Sequence, residues 1–183
     1  MKNKKYEIVE DNFILHNGRK LYRIRALKDL TDKNQSLTIT KGQLGGYVEG
    51  YHNLSQKEGC WVGWNAKVYG NAKVTDHAGV GGYAEIFGNA IIKGNAIVKG
   101  DAKVYDNAIV KDDAYVWGRA KIYGNAVVSA KLRGYAEVFG NAEIKNNTMV
   151  EEYSKVYDNA VVTNGATIRD INVCNNDIRI GDL

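Results

Sequence analysis

The side chains able to move protons or hold metals are few and scattered. The chain has three histidines, His16, His52 and His77, and two cysteines, Cys60 and Cys174. Neither cysteine has CxxC spacing, and the imidazoles are not spaced as a metal set. One organised set of chemically capable residues remains. Tyr69, Phe87, Tyr105, Tyr123, Phe139 and Tyr157 recur every 18 residues, with a single step of 16. Two positions ahead of them run Lys67, Glu85, Lys103, Lys121, Glu137 and Lys155. Aromatics beside Lys and Arg recognise rather than react: they suit protein partners, nucleobases or phosphorylated ligands. The alternative is a ladder of like neighbours and alternating charges that only stabilises a sheet.

The spacing comes from a six-residue repeat running from Trp64 to about Ile168, seen as GNAKVY, GNAIIK, GDAKVY and DNAVVT. Ala and the Val or Ile two positions later point to one face, and the flanking residues point to the other. The Gly-Asn or Asp-Asn pair is corner chemistry, because both residue types tolerate positive φ. Each hexad is therefore a short strand plus a bend. One such strand cannot bury its apolar side alone, so hexads stack as a solenoid. The 18-residue period of the outward aromatics predicts three hexads per coil. Where Ala130-Lys131-Leu132-Arg133 replaces a hexad, one corner is shortened and Leu132 plugs the core. Cys174 falls in the Val/Ile slot on this count, with Asn172 in the Ala slot, so Cys174 is expected to be buried.

The first 43 residues do not follow the hexad. Phe13–His16 and Leu21–Leu27 around Asn17-Gly18 read as a hairpin, with short strands at 6–9 and 37–40. Residues 1–43 are expected to form an N-terminal β cap over the first coil, and residues 44–183 the coil with a C-terminal capping turn. Ser55–Gly59 reads as a loop bulging from an irregular first turn.

These hexads resemble those of the hexapeptide-repeat proteins. The resemblance implies an all-β, single-stranded, left-handed parallel β-helix with three hexads per coil. Together with the run LYRIRALKDL and KGQLGGYVEGYHNLSQKEGCWV ahead of the GNA hexads, the chain is similar to phage- and prophage-encoded and YdcK-like proteins labelled hexapeptide transferases. Acyltransferases of this type use one His as general base, and His77 is the one His inside the regular coil. A solvated turn residue is the alternative reading of His77. The chain lacks the long excursion loops that wall an acceptor pocket in those enzymes, so whether it is an enzyme is left open, leaning against. No metal or cofactor is expected.

Two more columns are apolar on the outside. Ile91, Ile109, Val127 and Val161 lie on one side, and Ile97, Tyr115 and Trp117 on the next. They are the expected interface of a homo-oligomer, a dimer or a trimer. The leading function is a non-catalytic, oligomeric binding protein of phage or prophage type. It would counter host defence by sequestering a nucleotide-like ligand or by blocking an effector protein. Its expected binding face is Tyr69, Phe87, Tyr105, Tyr123, Phe139 and Tyr157 with Lys103, Lys121 and Arg119. The competing functions are an acyl-CoA-dependent acyltransferase and a structural scaffold. A net charge of +4 is too small to argue for sequence-specific nucleic-acid binding. With neither a long apolar run nor an apolar leader, the expected location is cytoplasmic, without membrane contact.

Overall fold

The computed structural model describes residues 4–31, 38–145, 147–163 and 165–174. Within the coil each hexad contributes a strand of two or three residues ending at or near the Val/Ile slot. Successive strands belong to different sheets, and every third strand pairs in parallel register. Glu85-Ile86 pairs with Lys67-Val68 on one side and Lys103-Val104 on the other. Ile91-Ile92 pairs with Ile109-Val110, and Ile97-Val98 with Tyr115-Val116. The result is an all-β helix of three parallel sheets, and none of the described residues is helical.

The Val/Ile and Ala slots fill the axis. Val68, Ile86, Val104, Ile122, Val138 and Val156 are fully buried, as are Ala66, Ala84, Ala102, Ala120 and Ala136. Small beside large lets three walls close around a narrow core, and burial of each Val or Ile favours folding by about 1.5–3 kcal/mol. At the shortened rung Leu132 takes the slot, pairs with Val116 and Val150, and is fully buried. The corners turn through the left-handed backbone region. Gly70, Gly88, Gly124 and Gly140 have φ between 66° and 70°, with Asp106 and Asp158 in the same column at 57° and 58°. The Asp106 carboxylate accepts the Gly124 N–H at 3.1 Å, so the acid also caps the next rung. Asn71, Asn89, Asn107, Asn125, Asn141 and Asn159 follow in the adjacent column. Each of the first five donates its side-chain amide to the next at 2.9–3.1 Å.

The last coil corrects one expectation. Val156 pairs with Val173, 17 residues on, because the rung drops one corner residue: Asp170 lies below Glu152 and Ile171 below Ser154, with no counterpart of Tyr153 between them. Val173 is therefore the buried slot residue, Asn172 faces outward, and Cys174 is exposed. Residues 175–183 of the expected C-terminal capping turn lie outside the described residues, as does Leu37.

At the other end, β1 (Tyr6–His16) and β2 (Arg19–Ala26) form an antiparallel hairpin. Its turn, Asn17-Gly18, has φ of 50° and 74°. A short pair, β3 (Leu30–Thr31) with β4 (Thr38–Ile39), follows. Strand β5 (Leu44–Val48) pairs antiparallel with β2 and parallel with Lys67-Val68. The hairpin thus continues one wall of the coil, and Tyr6, Leu21, Ile24 and Ala26 bury their side chains. Lys5 is fully buried here. Its ammonium donates to the Cys60 carbonyl at 2.7 Å and the Lys57 carbonyl at 3.2 Å, and lies 3.0 Å from the Cys60 sulfur.

Burial pulls the Lys5 amine below its ordinary value and pushes the Cys60 thiol above its own. A lysine with a lowered folded pKa opposes folding at neutral pH. The opposition fades as pH rises from that lowered value towards ~10.4, where the unfolded amine also loses its proton. Lys5→Met is accordingly expected to be at least as stable as the parent chain at pH 7. Its advantage in urea denaturation should shrink when the pair is compared again at alkaline pH.

Candidate binding face

The wall that begins at β5 carries the aromatic column. Tyr69, Phe87, Tyr105, Tyr123, Phe139 and Tyr157 stack along the axis, with ring centroids 4.8–5.2 Å apart and planes within 6° of parallel. The register of the sheet causes this, since each ring follows a slot residue paired directly to the slot above. The stacking also limits what the rings can do. Each inner ring spends both faces on its neighbours, so the column offers ring edges and phenol oxygens to solvent.

Tyr69 is only 6% exposed. The hairpin turn folds over it, with the His16 ring edge-on at 5.4 Å. The open part of the column therefore starts at Phe87. A long-range contact made by the hairpin turn was not legible from the hexad register.

The Lys/Glu column runs beside the rings as two repeats of Lys-Glu-Lys. Glu85 lies 3.4 Å from Lys67 and 3.7 Å from Lys103, and Glu137 lies 3.0 Å from Lys121 and 3.6 Å from Lys155. Each carboxylate serves two ammonium groups, leaving one positive charge in excess per triad. Lys103 and Lys121 are adjacent rungs with no acid between them, so the excess is greatest at mid-face. Arg119 is not on this wall. It stands at the neighbouring corner, where it reaches the Tyr135 hydroxyl at 3.1 Å.

Burial, and secondarily the Tyr123 phenol beside it, pushes Tyr105 up to about 12. Burial also raises Tyr123 and Tyr69. A phenol with a raised folded pKa contributes stability that is fully present below ~10 and is lost as pH climbs towards the folded value. Denaturation curves should thus show stability falling between about pH 10 and 12, and the fall should be smaller in Tyr105→Phe. Phenylalanine already occupies this column at Phe87 and Phe139, so the stack itself is kept.

Where the hairpin turn overhangs the column, a groove of about 500 Å³ opens, lined by Arg19, Glu49, His52, Tyr69, Asn71 and Phe87 among others. Burial raises the Glu49 carboxyl. The Gly70 N–H at 2.7 Å and the Arg19 guanidinium at 2.8 Å outweigh that and hold it below its ordinary value. His52 Nε2 lies 2.8 Å from the Gly70 carbonyl. Arg19, Glu49 and His52 belong to no hexad, so the repeat gave no signal of this site.

The remaining candidates are dispersed. His77 sits at the corner between the other two walls, half-buried, with Nδ1 enclosed and without a hydrogen-bond partner. The neighbouring Asp76 carboxylate accepts the Gly94 N–H at 2.8 Å. Ile91, Ile109 and Val127 occupy consecutive rungs of one wall, and Glu143 then separates them from Val161. On the third wall Ile97 pairs with Tyr115, and Lys131 follows. Tyr115 and Trp117 pack edge to face at 4.9 Å. Lys99 lies 4.7 Å from the Tyr115 ring and Arg133 5.9 Å from the Trp117 ring. Arg133 and Arg169 both pair with the buried Glu151 carboxylate. The seven apolar candidates thus lie on two walls, and basic groups cover much of the aromatic pair.

The chain matches no family model and no curated protein sequence. The β-helix is thus carried by the strand register.

Proposed function

We propose that this protein acts by binding a protein partner, through the flat wall of Lys-Glu-Lys and aromatic rungs, and not by catalysis. The observation behind this reading is the stacked column itself. Its ring faces are spent on one another, which disfavours a nucleotide-like ligand intercalated on the wall. Ring edges, phenol oxygens and unshared lysine charge offer a broad, rigid surface suited to an acidic protein face. The resemblance to phage- and prophage-encoded hexapeptide-repeat proteins supplies the biological setting: a left-handed coil whose partner is a host protein.

The test is co-purification from a bacterial lysate with Lys103→Glu/Lys121→Glu. Both side chains are exposed, so the fold should be unchanged, and we expect the partner to be lost. Retained capture would remove this wall from the reading. The competing acyltransferase reading places His77 as base. It expects a thermal midpoint raised by an acyl-CoA through ligand linkage and lowered catalysis in His77→Ala.

A further inference from the structure

One corner of the coil is unlike the others. Where the third wall meets the aromatic wall, successive rungs carry Asn65, Tyr83, Asp101, Arg119, Tyr135 and Tyr153, the first five aligned by a backbone bond from each to the next rung. Tyr83 is 61% and Tyr153 66% exposed, and Trp64 beside Asn65 is 77% exposed. Trp64 also adopts φ of 56°, in the column that other rungs give to Gly82, Gly100, Gly118, Gly134, Glu152 and Asp170. A bulky aromatic held in the left-handed region and turned to solvent is strained, and strain of this kind is kept where a surface has work to do.

The order along this ridge is self-complementary. Counted with Trp64, which stands one position before Asn65 on the first rung, it reads aromatic, aromatic, acid, base, aromatic, aromatic from the N-terminal end. Asp101 and Arg119 sit at its middle, 3.7 Å apart. We propose that the ridge is the interface of an antiparallel two-fold dimer of this chain. Its axis passes between Asp101 and Arg119. Each Asp101 then meets the Arg119 of the second copy, Tyr83 meets Tyr135, and Trp64 meets Tyr153. A parallel pair would set Arg119 against Arg119 and Asp101 against Asp101, which like-charge repulsion forbids. Charge complementarity therefore selects both the occupant and its direction. The ridge spans five rung spacings, about 24 Å. Six side chains per copy is a small interface, so dimerisation should be micromolar or weaker. The inference is independent of the docking wall, because these side chains stand on the corner.

Sedimentation equilibrium over about 1–300 µM, the range expected for so small an interface, tests it. The parent chain should associate to a dimer. Asp101→Arg and Arg119→Asp should each weaken association at least tenfold. The double variant should restore it, and an equimolar mixture of the two single variants should form a heterodimer. A monomeric parent chain, or single variants that associate as the parent does, would overturn the proposal. So would failure of the double variant to recover while its circular dichroism shows the fold intact. Trp64→Gly adds a second arm. It should raise the thermal midpoint of the dilute protein by releasing the strained backbone, yet weaken the dimer. Unchanged association in that variant would also count against the ridge.

Discussion

Leu132→Ala is expected to lower the unfolding free energy by about 2–5 kcal/mol, the range for deleting a buried leucine that leaves a cavity. Leu132 stands where the rung is two residues short. Its neighbours in the slot are Val116 and Val150, and it is completely buried. The larger side chain fills volume that a valine leaves open at the shortened corner. Nothing nearby can collapse into the gap, because the slots above and below are pinned by backbone pairing. Leu132→Val removes one methylene and should cost only about 0.5–1.5 kcal/mol. Urea denaturation of the three proteins, with midpoints and slopes compared, distinguishes this from a general tolerance of the short rung.

Gly124→Val should be about as damaging, for a different reason. Gly124 has φ of 70°, and a Cβ there would stand 2.9 Å from the Gly140 backbone nitrogen and oxygen. Left-handed backbone costs an L-residue about 1–2 kcal/mol, and forcing atoms into a packed rung adds about 1–3 kcal/mol. Gly124→Asn should lose less than Gly124→Val, because Asn tolerates this backbone and can bond locally, although its Cβ meets the same Gly140 backbone atoms. The chain itself shows the exchange: Asp106 and Asp158 hold the same column at φ of 57° and 58°, and Asn147 turns another corner at 58°. Similar losses in both variants would mean that steric space alone, and not backbone conformation, decides the corner residue.

The coil was legible in the sequence because its causes are local. Alternation within the hexad and Gly or Asn at the corner determine strand and bend, and the 18-residue recurrence of Tyr69, Phe87, Tyr105 and Tyr123 set three strands per rung. Leu132 could be placed in the core because the repeat resumes in phase after it. The same counting failed at Cys174, where one residue drops out and no repeat follows to reset the phase. The site was less legible. Register puts the aromatics on one wall, but it does not show that they stack face to face and present only edges. Nor does it show that Asn17-Gly18 turns back over Tyr69, or that Glu49, Arg19 and His52 meet. Those contacts join segments far apart in the chain, with side-chain geometry that no period encodes. The Trp64 backbone was hidden for a related reason: the hexad marks the corner, but Trp is not a residue from which positive φ would be inferred.

On the proposed function, the aromatic wall of the coil is the surface that meets the partner. Hydrogen–deuterium exchange of the protein with and without its captured partner measures that directly. Protection should appear in peptides covering Lys103–Tyr105, Lys121–Tyr123 and Glu137–Phe139. Protection confined instead to Ile91–Lys93 and Ile109–Lys111, or to Tyr115–Trp117, with the aromatic wall unchanged, would contradict it.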